Sequence, residues 1–182
     1  SSAIAEGVLR RTGKNALNSL RFPDAITLDE VKRLDAKAVE LRPSKIIEGG
    51  FDVIDAAGER IAVVTRTAPA ADGVVGYKGP TDSLMMFDAK GETLKALAVR
   101  KSYDTEMYVG YVTGDPAFLK TFDGMHRKDI GAMNFDEASV EGVSGATRTS
   151  WGIAEAVRVR AASMRSATGH VLIRWRWQDV GH

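Results

Sequence analysis

Two strand–turn–strand units fill residues 51–100, and their turns are too short for anything but antiparallel pairing. Phe51–Ala56 and Arg60–Thr65 flank Ala57-Gly58-Glu59; Ser83–Asp88 and Glu92–Arg100 flank Ala89-Lys90-Gly91. All four runs are rich in apolar residues, and each turn carries a glycine that frees its backbone. A parallel pair would need a crossover of a dozen or more residues, and none is present between the partners. These runs predict a twisted antiparallel sheet.

Helical signals lie on either side of this block. Thr27-Leu28-Asp29-Glu30 fits a capping box, and Val31, Leu34, Ala38 and Leu41 then recur at helical spacing until Pro43 stops the pattern. Thr105–Val112 and Pro116–Phe122 predict two short helices broken by Gly114-Asp115-Pro116, and residues 123–140 read as loop. A longer helix is predicted from near Thr147 to about Ala167, with Ile153, Val157, Ala161 and Met164 as its apolar stripe. Strands and helices segregated in this way predict an α+β fold, a single domain with helices packed to one side of the sheet. The chain divides into an N-terminal leader and helix (1–45), the domain proper (46–170) and a C-terminal tail (171–182).

Composition removes several classes of function. The 182 residues carry a net charge of +1, so there is no basic excess to suggest nucleic acid. There is no cysteine, which excludes disulfides, cysteine-ligated clusters and c-type haem within this chain. The three histidines, His126, His170 and His182, are widely spaced and form no metal-ligand pattern. No apolar run is long enough to span a bilayer. The chain starts Ser1-Ser2, as a processed protein or an excised piece would.

The segment with most chemical content is Glu141-Gly142-Val143-Ser144-Gly145-Ala146-Thr147-Arg148-Thr149-Ser150. It is a turn of small residues that runs straight into a helix. Small residues permit close approach of another molecule, and a helix mouth presents free N–H groups and the positive end of the dipole, which suits a phosphate. A threonine hydroxyl placed there can hydrogen-bond a phosphate or be esterified by one. The plain alternative is an ordinary helix cap. A serine nucleophile elbow is disfavoured, because Ala146 stands where the last glycine of that motif belongs and no histidine supports it. A second motif, Gly76-Tyr77-Lys78-Gly79-Pro80, precedes the second hairpin; alone it reads as a loop before a strand.

Taken together and in this order, the two motifs resemble the FMN-binding domains of the sodium-pumping NADH:quinone reductase, the Rnf electron-transport complex and NosR-type membrane flavoproteins. The resemblance covers roughly residues 73–165. It implies that an ApbE-type flavin transferase, using FAD and magnesium, attaches FMN by a phosphoester to Thr147. Ser144, Gly145 and Ala146 would complete the motif, with Glu141 where the family usually has aspartate. Gly76, Tyr77 and Gly79 would approach the flavin, and Tyr77, Tyr103, Tyr108 and Trp151 are the aromatic candidates for stacking on it. The His-x-Glu-Thr-Pro-Gly stretch of the quinone-reductase and Rnf members is replaced here by Ser102-Tyr103-Asp104-Thr105-Glu106-Met107-Tyr108, which is more similar to the NosR-type branch.

The implied function is an extracytoplasmic, periplasmic electron-transfer domain of a membrane flavoprotein, a redox carrier working with membrane electron-transfer partners. Two alternatives are a redox-sensing regulatory module and a noncovalent ligand-binding domain in which Thr147 only caps a helix. The tail Arg174-Trp175-Arg176-Trp177 alternates cation and aromatic, which suits either a membrane interface or an edge strand. On the resemblance, the full-length protein would continue into transmembrane helices past His182.

Overall fold

An aspartate opens each hairpin turn in the same way. Asp55 Oδ1 accepts from the N–H groups of Ala57 and Glu59, and Gly58 takes a φ of +81°. Asp88 Oδ1 accepts from Glu92 N–H at 2.8 Å, and Gly91 takes a φ of +71°. The positive φ is reached without strain only by glycine, so both reversals are local decisions of the chain. The computed structural model describes residues 19–135 and 140–164.

The strands are β1 (Glu40–Pro43), β2 (Phe51–Ile54), β3 (Arg60–Arg66), β4 (Thr81–Phe87) and β5 (Leu94–Ser102). They form one antiparallel sheet in sequence order, with Val64 opposite Met86 and Leu84 opposite Ala98. The helices are α1 (Leu28–Leu34), α2 (Glu106–Thr113), α3 (Pro116–Leu119), α4 (Arg127–Ala132) and α5 (Thr147–Ser163). The architecture is α+β, as the segregated pattern predicts.

Alternation along the strands builds two cores. Val63, Met85, Phe87 and Leu97 point to one face, where Val112, Phe118, Ile130, Ile153 and Val157 bring in α2 to α5. Val53, Ala62, Val64, Leu84 and Met86 point to the other face, covered by Ile26 and by Val31 of α1. Four helices thus share one face and the short α1 closes the other. All seven residues of β4 are buried, because it lies inside the sheet with both faces covered.

Two local expectations are revised. The helix predicted to run to Pro43 ends at Leu34. Asp35 leaves the helical region, and its carboxylate accepts from Lys37 N–H at 3.0 Å, a local bond that competes with helix continuation. Ala38 still enters the core, but Leu41 belongs to β1, an edge strand paired to β2. Pro43 fits there because an edge strand tolerates a missing donor. The second revision is α4, inside a stretch read as loop. It packs so closely on α5 that a Cβ on Gly131 would lie 2.8 Å from the Ala162 nitrogen. The helix predicted to run to about Ala167 ends earlier, at Ser163, because Met164 turns to an extended backbone as its C-cap. The leader up to residue 18 and the tail lie outside the described residues.

The predicted capping box is complete: Glu30 N–H donates to Thr27 Oγ1, and Thr27 N–H donates to Glu30 Oε2 at 2.8 Å. Thr27→Ala should therefore destabilise the protein by about 1 kcal/mol, measured by urea unfolding.

At the far end of α5, Arg160 is buried and fastens the helix to the sheet. Its guanidinium donates to Thr65 Oγ1 at 2.8 Å and to the Glu48 carbonyl at 2.7 Å. Burial, with nearby Arg66 adding to it, pulls the guanidinium pKa down to about 10, so it stays charged at neutral pH.

Candidate functional site

The first turn of α5 is built by Ser150. This buried hydroxyl accepts from Val143 N–H at 3.0 Å and lies 2.9 Å from the Thr147 carbonyl, to which it donates. Gly145, at a φ of +78°, reverses the chain between these two contacts. The N-cap is Ala146, which has no side-chain acceptor, and no side chain caps the helix. Among the described residues, nothing accepts from the N–H groups of Thr147, Arg148 and Thr149. A helix of 17 residues thus ends in open donors at the positive end of its dipole.

The two threonines of this turn differ sharply. Thr147 is exposed; its methyl sits over Gly142, and its hydroxyl has no partner among the described residues. Thr149 is only 1% exposed, and its hydroxyl donates to Asp104 Oδ2 at 2.8 Å. The motif resemblance points to Thr147. Burial separates the two.

Thr147 borders a cleft of about 310 Å³, lined by Gly145–Thr149 on one side and by Tyr77 and Tyr108 on the other. The two tyrosine rings meet edge to face, with centroids 5.1 Å apart. Such a pair gives the cleft an aromatic border beside its donor-lined end. Tyr111, one turn beyond Tyr108, lies against Gly145, and Trp151 lies against Gly142; both are about half exposed.

The other predicted site residues divide. Tyr77, Gly145, Ala146 and Thr147 come together in the cleft. Glu141 and Ser144 line a separate cleft of about 470 Å³, with Asp115 and Thr121. Gly76 and Gly79 are packing positions outside the cleft lining: a Cβ on Gly76 would collide with the Asp104 carboxylate, and one on Gly79 with the Tyr103 carbonyl. Gly152 of α5 completes this close approach, since a Cβ there would lie 2.7 Å from the Gly76 Cα. Of the stacking candidates, Tyr108 joins Tyr77, while Tyr103 turns away. Its ring packs 5.3 Å from that of Phe22, and its hydroxyl donates to the Arg21 carbonyl.

Sequence reading misses Asp104. It joins two distant stretches to its own, accepting from Tyr77 N–H and Lys78 N–H, from the Thr149 hydroxyl and from the adjacent Thr105 N–H. The only local signal is an acid just ahead of a helix, which normally marks a cap. Burial raises the carboxyl pKa, but these four bonds outweigh it and hold it below the ordinary value. The sign follows: a depressed folded-state pKa adds stability above the unfolded value, and that stability is lost on acidification. Unfolding free energy should fall as pH drops below 3.8. Asp104→Ala should flatten that part of the profile, as urea melts across the acid range would register.

Residues 76–161 match the family model for the FMN-binding domain. No curated protein matches the chain at a significant level. Among solved structures, the chain is similar to the crystal structure of Shewanella oneidensis NqrC. The two are 22% identical, with a TM-score of 0.41, over 60% of this chain and 52% of that one. The similarity thus spans about half the length of that protein. The family match begins at Gly76 and ends at Ala161, a little under half of the chain, and this segment, which encloses the Tyr77 loop, Asp104 and the Thr147 turn, matches the FMN-binding domain family.

Proposed function

We propose that this domain carries FMN joined to Thr147 by a phosphoester and serves as an electron carrier in a membrane-bound, NosR-like respiratory flavoprotein, on its extracytoplasmic face. The observation that supports this reading is the exposed Thr147 hydroxyl, without a partner among the described residues, at a helix mouth with no side-chain cap and beside a cleft bordered by Tyr77 and Tyr108.

The residues present fit the group. The free N–H groups of Thr147, Arg148 and Thr149 suit phosphate oxygens, and Arg148 adds a positive charge. Tyr77 and Tyr108 suit the apolar body of a flavin ring. When bound, a flavin supplies reversible electron uptake, and the protein supplies attachment, orientation and electrostatics. For attachment, the Thr147 oxygen forms a bond to the phosphorus of the FMN half of FAD. The pyrophosphate bond breaks, AMP leaves, and the hydroxyl proton passes to a base on the flavin transferase. Among the described residues no helix is long and apolar enough to cross a membrane. In this reading the membrane parts belong to other segments or partners.

Co-expression with and without an ApbE-type flavin transferase tests the proposal. With the transferase, the intact mass should rise by FMN minus water, and the band should fluoresce on a denaturing gel. A colourless protein of unchanged mass, from cells that flavinylate a control substrate, would sink it.

A further inference from the structure

All four acceptor positions of the Asp104 carboxylate are in use. Oδ1 takes Lys78 N–H at 2.8 Å and Thr105 N–H at 2.7 Å; Oδ2 takes Tyr77 N–H at 2.8 Å and the Thr149 hydroxyl at 2.8 Å. A carboxylate offers about four such positions and no donor, so the match to four donors is complete. Asparagine would turn an NH₂ group toward two of those donors. Glutamate would need room for another methylene where Gly76 already crowds the carboxylate.

Besides these bonds the loop is tied by the Gly76 N–H to Gly79 carbonyl bond, by the close approach of Gly76 to Gly152 and by the Tyr77–Tyr108 ring contact, and its side chains add little more. Neither Val75 nor Tyr77 belongs to either hydrophobic core, and both are about half exposed. Yet Tyr77 forms one wall of the cleft, and Thr149 lies two residues beyond Thr147 on the opposite side. One carboxylate thus spans the two sides of the cleft.

We propose that Asp104 is the positioning residue of this site: it locks the Tyr77 wall to the first turn of α5, so that a flavin tethered at Thr147 rests against that wall in one orientation. The inference rests on the Thr147 reading above, but it concerns orientation and not attachment. Thr149 is the second half of the device, because its hydroxyl is the one side-chain donor to the carboxylate.

The test compares wild type, Asp104→Asn, Thr149→Val and Thr149→Ser, each co-expressed with the flavin transferase. Intact mass reports attachment; visible circular dichroism and fluorescence of the bound flavin report orientation. Attachment should be retained in all four proteins. In Asp104→Asn and Thr149→Val the loop's held-to-released ratio should drop about tenfold, the effect of losing one or two hydrogen bonds to a charged group. The flavin dichroism should collapse toward that of free FMN, and fluorescence should rise as Tyr77 ceases to quench it. Thr149→Ser, which keeps the hydroxyl, should retain the wild-type spectrum. Wild-type spectra in both disrupting variants, or equal losses in Thr149→Ser and Thr149→Val, would overturn the proposal.

If Asp104→Asn fails to fold, the Thr149 pair decides the matter alone. If wild type shows no mass adduct, the Thr147 reading falls separately. Amide exchange in the unloaded protein then judges the lock: Tyr77 and Lys78 N–H should exchange about tenfold faster in Asp104→Asn. Unchanged exchange there would refute it.

Discussion

Thr147→Val is expected to carry no flavin at all. Valine keeps the branched shape and the methyl over Gly142, so the turn before α5 should be unaltered. The site is exposed, and its hydroxyl has no partner among the described residues, so the fold should lose no more than about 0.5 kcal/mol. What disappears is the oxygen to which the proposed ester is assigned. Thr149→Val is the matched control, since it deletes the neighbouring buried hydroxyl and should still show the full mass increase. A surviving adduct in Thr147→Val would assign the tether to another residue.

The second large effect is one of stability. Asp82→Asn should lower the unfolding free energy by about 3–5 kcal/mol. Asp82 is 1% exposed and lies at the start of β4, with Arg100 at 2.8 Å and Arg66 at 3.6 Å from the same oxygen. Its other oxygen accepts from Ala68 N–H at 3.0 Å. Both arginines also hold the segment that leads into α1. Arg66 donates to the carbonyls of Phe22 and Asp24, while Arg100 donates to the Ala25 carbonyl and grips Glu30. Neutralising Asp82 leaves Arg66 facing a neutral amide and Arg100 with Glu30 as its remaining acid, and loosens the cover over the second core. For a domain of this size the melting temperature should drop by roughly 6–20 °C. A loss under about 1 kcal/mol would mean that water reaches these arginines more freely than their burial indicates.

Legibility in the sequence followed the range of the interaction. Both hairpins were readable because Asp55, Gly58, Asp88 and Gly91 decide them within a few residues. The capping box at Thr27 was readable for the same reason. β1 was not, because Ala38 and Leu41 also satisfy a helical period, and only pairing with Phe51–Ile54 chooses between the two. Nor was α4, whose Gly131 lowers helix propensity but admits the backbone of α5.

At the site, the contiguous turn Ser144–Thr147 was visible as a motif. Its division between two clefts was not, because that depends on where α3 sits relative to Glu141 and Ser144. Asp104 left almost no trace, since its partners lie 27 and 45 residues away. The packing role of Gly76 and Gly79 was likewise hidden, as the atoms that exclude a Cβ come from Tyr103, Asp104 and Thr149.

The attachment of α5 at both ends bears on range of motion. Arg160 pins one end to β3 and to the Glu48 carbonyl, and the Thr149–Asp104 bond pins the other. Arg160 lies thirteen positions beyond Thr147 along the helix, a rod of about 20 Å. Cargo mounted on such a rod has no swinging arm. To shuttle between a donor and an acceptor, the whole body would have to pivot on linkers beyond it.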